Sequence, residues 1–226
     1  MSSTAEKKLV GQSALEAIRN DIISGDLTPG SKLKLNALQQ RYGVSVNTLR
    51  ETLMRLVSED FVEFKDQKGF RVKQVSLQDL EELIELRSTM EILGLKKAMA
   101  RKTDLMNWKS QLISAHYRLS CAQLKMLSDD SARDEWLNAD RAFHMVIVAG
   151  SGSTQLIRHH GIILELFMRY QLLALQTHPF RGQAVIDEHK ELLDRMLEDD
   201  LDGAIECLTS HINKGGELPT STLKSA

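Results

Sequence analysis

The chain has 226 residues, 42% of them hydrophobic and 27% charged, with a formal net charge of -2. That length supports one or two domains with real cores, and the charge balance excludes a basic nucleic-acid tail as the whole protein. Cys121 and Cys207 are too few for a disulfide framework, and neither a signal peptide nor an apolar run of membrane-spanning length is visible, so a reduced cytoplasmic setting with no membrane association is expected.

The average charge hides a split. Residues 1–75 carry 12 Lys+Arg against 9 Asp+Glu, and the rest carry 17 against 22. A basic head on an acidic body fits a nucleic-acid module fused to another domain. In chain order, Leu15, Ile18 and Ile22 fall at helical spacing, Gly25 closes that helix, and Pro29-Gly30 marks a turn. A short helix, "NALQQRYG", stops at Gly43, and Ser45 caps a third whose buried face is Leu49, Leu53 and Leu56. Two helices so closely spaced make a helix-turn-helix, whose second helix can enter a major groove. In "FVEFKDQKGFRV", Val62 and Phe64 alternate, residues 65–69 turn, and Phe70 and Val72 alternate again, which reads as a β-hairpin with a basic tip.

Beyond Val75 six helices are predicted: 77–101, 104–127, 132–149, 154–177, 181–199 and 201–214. Ser76 caps the first, and Ser131 with Asp134 the third; short connections imply antiparallel packing. The fold class is therefore mainly α, with a winged helix-turn-helix over residues 1–75 and an antiparallel six-helix bundle over 76–226.

Within the bundle, Leu137, Asp140, His144 and Ile147 share one helix face. Val185, His189, Leu192 and Met196 form a like stripe, as do Ala204, Leu208, His211 and Gly215. A buried, unmatched carboxylate is costly, and a metal held by Asp140, His144, His189 and His211 explains the placement. Satisfied core histidines are the competing explanation, since His116 and His160 also lie near apolar stripes.

The strings "ISGDLTPGSKL", "LQQRYGVSVNTLRETLMRLVSEDFVE" and "KGFRV" resemble the DNA-binding domain of the GntR family of bacterial transcriptional regulators. The resemblance implies that Arg50 contacts DNA and that Gly69 approaches the minor groove. The chain departs from the family pattern at Val46-Asn47-Thr48, which bears on the base sequence read. Asn47 and Thr48 can face base edges, while Arg41, Lys65 and Lys68 are candidate phosphate neighbours. The body is similar to the all-helical ligand-binding domain of the FadR subfamily, in which an Asp-x3-His pair and two later histidines match Asp140, His144, His189 and His211. The string "AFHMVIVAGSGS" further resembles carbon-starvation-induced members that repress glutarate utilisation genes.

What the resemblance implies is a homodimeric repressor that binds double-stranded operator DNA and responds to a small organic acid, a dicarboxylate such as glutarate first. The expected cofactor is zinc, or another divalent transition metal such as nickel or manganese. Arg87 and Arg169 are the candidate effector contacts, because a guanidinium grips a carboxylate through two parallel bonds. The alternatives are intrahelical pairs, Arg87 with Glu91 and Arg169 with Glu165. Two other functions stay open at this point: a metal-dependent enzyme carrying a nucleic-acid module, and a structural metal in an interaction domain. The enzyme lacks a further acid or base with a clear role, since Glu188 should point away from the face of its neighbour His189.

Overall fold

The computed structural model describes residues 2–101 and 104–225, so the outermost expected domain limits, Met1 and Ala226, lie outside the described residues. Two compact units meet at the Ser76–Leu77 link.

The N-terminal unit contains α1 (Ser2–Ser24), α2 (Leu35–Tyr42), α3 (Val46–Ser58), β1 (Val62–Lys65) and β2 (Gly69–Val72). Leu15, Ile18 and Ile22 of α1 and Leu38 of α2 are buried with Leu49, Leu53 and Leu56 of α3. This is the face that the spacing predicts, and each such side chain contributes about 1.5–3 kcal/mol by leaving water. The turn between α2 and α3 depends on two local features. Gly43 takes a left-handed φ of 67°, its N–H returning to the Gln39 carbonyl, and the Ser45 hydroxyl accepts the Thr48 N–H at 3.2 Å.

The hairpin pairs Val62 with Val72 and Phe64 with Phe70. Val62, Phe70 and Val72 are buried, whereas Phe64 is 46% exposed. The sequence reading stopped at the hairpin, but the stretch after Pro29 also pairs with β2. The Gly30 N–H donates to the Val72 carbonyl at 2.9 Å, Val72 N–H to Ser31 at 3.0 Å and Leu33 N–H to Phe70 at 2.9 Å. Gly30 has a φ of 74° and the Gln74 side chain fills the place of its missing Cβ, so the turn requires glycine.

The C-terminal unit contains α4 (Leu77–Ala100), α5 (Leu105–Met126), a 3-10 turn (Asp130–Ala132), α6 (Arg133–Ala149), α7 (Thr154–Ala174), α8 (Gln183–Leu197) and α9 (Leu201–Ser225). Helix α4 packs against α6, α7 and α9, while α5 packs on α6 and α8, and α8 on α9. Two expectations need correction. The cap before α6 is Asp129, whose carboxylate accepts the Ser131 N–H at 2.9 Å to start the 3-10 turn; Ser131 does not cap α6. Helix α9 does not stop near residue 214 but continues through Gly215, Gly216 and Pro219. The glycines allow close packing: a Cβ on Gly216 would lie 2.4 Å from Ile84 Cδ1, and one on Gly215 would touch Gln171 and Phe167. Burial against α4 and α7 thus overrides the low helix propensity of this stretch.

The α4–α6 contact is equally tight. A Cβ on Gly94 would stand 2.9 Å from the Val148 Cα, a backbone atom that cannot rotate away. On Gly161 it would meet only the flexible end of Met145 at 3.6 Å. Gly94→Ala should therefore cost about 1–3 kcal/mol of stability, whereas Gly161→Ala should be neutral or gain up to ~1 kcal/mol from helix propensity. Thermal melts should separate the two variants, Gly94→Ala lying several degrees below the wild type and Gly161→Ala level with it or above. Equal melting temperatures would mean that this contact does not limit how closely α4 and α6 approach.

Candidate nucleic-acid interface and metal centre

In the N-terminal unit, the start of α2, the outer face of α3 and the wing enclose a groove lined by Lys32, Lys34, Arg50 and Lys68, with no acidic side chain lining it among the described residues. Asn47 and Arg50 are exposed on the first turns of α3, where a recognition helix meets base edges. Thr48 is half-buried, with its hydroxyl 2.9 Å from that of the capping Ser45, so its first role is in the turn. Arg41 is already paired, with Asp21 at 2.5 Å and Asp26 at 3.7 Å. Lys65 pairs with Glu63 at 2.9 Å along its own strand, while Lys68 is exposed at the wing tip. Gly69 has a φ of 75° and nothing within 4 Å of a Cβ position, so a backbone can approach it closely. Sequence reasoning missed Lys32 and Lys34, which come into the groove through the extra pairing with β2, and the exposed Met54 and Phe64 on its wall.

The C-terminal unit brings His144 of α6, His189 of α8 and His211 of α9 together, one ligand nitrogen from each lying within 4.8 Å of the others. His144 and His189 are fully buried and His211 nearly so. The His144 and His189 Nε2 atoms are 3.4 Å apart, and Asp140 Oδ1 is 3.2 Å from His189 Nε2. Asp140 touches His189, but the group whose ligand atoms all lie within 4.8 Å of one another is the three histidines without it.

The outer nitrogens define which lone pairs face inward. His189 Nδ1 is 2.9 Å from the Val185 carbonyl, which only accepts, so that nitrogen carries the proton. The Gln123 amide lies 2.8 Å from the same nitrogen, and facing an N–H donor its oxygen belongs on that side. His144 Nδ1 donates to Glu91 Oε2 at 2.7 Å, and His211 Nδ1 to Glu188 Oε2 at 3.0 Å. Burial lowers the His144 pKa; burial and the neighbouring His189 push that of His211 down to about 3, so both rings are neutral. Burial opposes the Asp140 charge, but its surroundings, with the Arg87 cation among them, keep its pKa below the ordinary carboxylate range. Electron-rich atoms therefore converge with no hydrogen-bonding proton between them. A cation resolves this, and two donors about 2.0–2.1 Å from one ion at a tetrahedral angle stand roughly 3.3–3.4 Å apart. The residues fit a transition metal, with outer partners that fix each tautomer.

Sequence reasoning did not find those outer partners. Glu91, with no exposed surface, also accepts Arg87 Nε at 2.8 Å and His160 Nε2 at 3.0 Å. Burial would raise its pKa, yet its contacts with His144, Arg87 and His160 hold it well below the usual range. His160 is thus a prop for Glu91, while His116 is placed against the Phe143 ring edge. Glu188, expected to point away from the face of His189, reaches His211 on the neighbouring helix and binds Arg181 at 2.5 Å. Against the penalty of burial, the bonds from His211 and Arg181 bring its pKa to about 2.

Arg87 forms the intrahelical pair with Glu91 that the sequence offered as the alternative to effector binding, and it lies 4.7 Å over the Phe167 ring. Its Nη2, although buried, has no hydrogen-bond partner. Arg169 is buried on α7, and Glu165 pairs with Arg141 of α6. A narrow cavity beside the cluster is lined by Asp140 and His211 together with Trp136, Gln171 and Arg181.

The sequence matches two family patterns: bacterial regulatory proteins of the gntR family over residues 11–72, and the FCD domain over residues 82–214. The transcriptional repressor GlaR of Escherichia coli is 32% identical over 198 residues, covering 86% of this chain and 89% of that protein. The helix-turn-helix regulator BphR of Paraburkholderia xenovorans is 30% identical over 203 residues, covering 89% and 81%. Among solved structures, Escherichia coli McbR/YncC superposes with a TM-score of 0.77 at 20% identity, covering 96% of this chain and 97% of that one, which shows a shared fold. No helix among the described residues is long and apolar enough to cross a membrane. A groove rich in cations beside a recognition helix, and a separate helical unit with an enclosed polar centre, are the two parts of a ligand-responsive DNA-binding protein. The chain belongs to the GntR family of bacterial regulatory proteins, with an FCD ligand-binding domain, and is a transcriptional regulator rather than an enzyme.

Proposed function

We propose that the chain is a homodimeric repressor that leaves its operator when a small organic acid binds beside a metal held by Asp140, His144, His189 and His211. The observation that carries this reading is the convergence of imidazole lone pairs in a buried cluster near a guanidinium with an unmatched nitrogen, Arg87 Nη2. Zinc is the first choice, because the donor set is imidazole-rich with one carboxylate and the function needs no redox chemistry. When bound, the ion supplies a Lewis-acidic position for an acid oxygen. Arg87 supports the same oxyanion through charge and geometry, held in place by Glu91 and by the Phe167 ring. Repression and the dimer follow the family pattern, two recognition helices reading half-sites about one helical turn apart.

At the DNA end, Asn47 and Arg50 read the major groove, and Lys32, Lys34, Lys65, Lys68 and Gly69 meet the backbone beside it. Arg41 and Thr48 support the reading head through their contacts with α1 and the Ser45 cap. Arg50→Ala should weaken binding to upstream DNA about 10- to 100-fold at fixed salt, whereas Asn47→Ala should mainly relax the choice of base pair. Unchanged affinity and sequence preference in both variants would remove these residues from the reading surface.

Metal analysis of gently purified protein should find one transition ion per chain, and His189→Ala should lose most of it. Full retention by His189→Ala would take that residue out of the ligand set. Glutarate is the first acid to test, with succinate and citrate for comparison. The acid dissociates the complex only if it binds the DNA-incompetent arrangement more tightly. Metal-loaded protein should bind it in calorimetry, Arg87→Ala should bind it at least 10-fold more weakly, and operator affinity should fall in its presence. Saturable binding with operator affinity unchanged would exclude that acid as the effector.

A further inference from the structure

We propose that Trp136, Gln171 and Arg181, on the wall of this cavity in the C-terminal unit, form a second carboxylate subsite, so that the effector is an α,ω-dicarboxylate held at both ends. This rests on the reading above that an acid binds beside the histidines.

Three observations carry the proposal. Trp136 is only 5% exposed and lines the cavity, yet its indole Nε1–H has no hydrogen-bond partner. The chain's other tryptophan, Trp108, donates its indole N–H to the Val146 carbonyl at 2.9 Å, which is the ordinary outcome for a buried indole. A buried donor left unmatched needs an explanation, and one that lines a cavity finds it in a ligand acceptor. The Trp136 ring is also fixed, with the Phe180 ring edge-on at 5.3 Å, so its N–H has a set direction.

The second observation is Gln171, whose Oε1 is likewise buried without a partner on the same wall. An amide can turn either its N–H or its oxygen to a ligand, so it serves the unprotonated carboxylate by donating. The third is charge. Arg181 lines the same cavity and gives one nitrogen to Glu188, but Glu188 is also approached by Lys214 at 3.4 Å and accepts from His211. With one nitrogen on Glu188, the five-donor fork of Arg181 still has capacity for a further anion.

The cavity wall also includes Ala174, Val185 and Leu218. Apolar side chains on the same wall as these donors match a polymethylene chain with a carboxylate at each end. A monocarboxylate of equal length would cover the apolar side chains and leave these donors unmatched. The helix-free stretch 175–182 supplies Leu175, Phe180 and Arg181 to the cavity wall.

The test is calorimetry on zinc-loaded, full-length protein with succinate, glutarate and adipate, each paired with the monoacid of equal length, butanoate, pentanoate or hexanoate. The best diacid should bind at least 10-fold more tightly than its monoacid. Trp136→Phe, which removes the N–H and keeps the ring, should weaken the diacid about 5- to 30-fold, leaving the monoacid within twofold and zinc content unchanged, and Arg181→Gln should weaken the diacid by a similar factor. In nitrogen-15 spectra, the indole N–H resonance that Trp136→Phe abolishes should shift with the diacid and not with the monoacid. Equal affinity of diacid and monoacid for the wild type, or equal loss of both in Trp136→Phe, would overturn the second subsite while leaving acid binding beside the histidines intact. Failure of every acid to bind the zinc-loaded wild type would instead overturn the effector reading, and the subsite with it.

Discussion

A carboxylate with no exposed surface must be matched by donors, and Glu91 is matched by donors from three helices. Arg87 reaches it along α4, His144 from α6 and His160 from α7. Losing one of these partners would leave charge buried without compensation, a change that costs about 3–5 kcal/mol for buried pairs. The arrangement therefore does more than join α4 to its neighbours. It fixes the proton on His144 Nδ1, turns the opposite nitrogen toward His189, and holds Arg87 with Nη2 still unmatched.

The same principle recurs around the cluster with different chemistry each time. His189 is oriented by a backbone carbonyl of its own helix and by Gln123 of α5, and His211 by Glu188 of α8. Every imidazole is held from outside, and the elements doing so span most of the C-terminal unit. A ligand that pulls on the centre thus bears on α4, α5, α6, α8 and α9 through contacts that have little slack. Coupling between an acid and DNA requires only that these contacts differ in energy between two arrangements of the protein.

Much of this was legible in the sequence because helical periodicity is a strong signal. Asp140 and His144 stood in an apolar stripe one turn apart, and His189 and His211 stood in two others, so their inward direction followed from spacing. Glu91 was harder to see. Four residues after an arginine, it reads as half of a solvated ion pair, although Leu80, Leu83, Arg87, Glu91, Leu95 and Ala98 are all buried along one helix and a stripe count would have placed it inside. Glu188 was judged only against its chain neighbour His189, while its partner His211 lies on another helix, a relation that spacing within one helix cannot express. Gly215, Gly216 and Pro219 looked like a helix end by propensity, and close packing against Ile84, Phe167 and Gln171 decided otherwise. In the head, the series of helices and hairpin was readable, but the groove cations Lys32 and Lys34 depended on a backbone pairing with β2 that no local pattern announces.

The central claim is that three imidazole nitrogens, each oriented from outside, converge because a cation belongs between them. X-ray absorption at the edge of the metal retained by gently purified protein tests it most directly. The account predicts about three imidazole nitrogens with one or two oxygens, at about 2.0–2.2 Å. A retained ion showing no imidazole scattering, or protein that binds no metal when every histidine is intact, would contradict it.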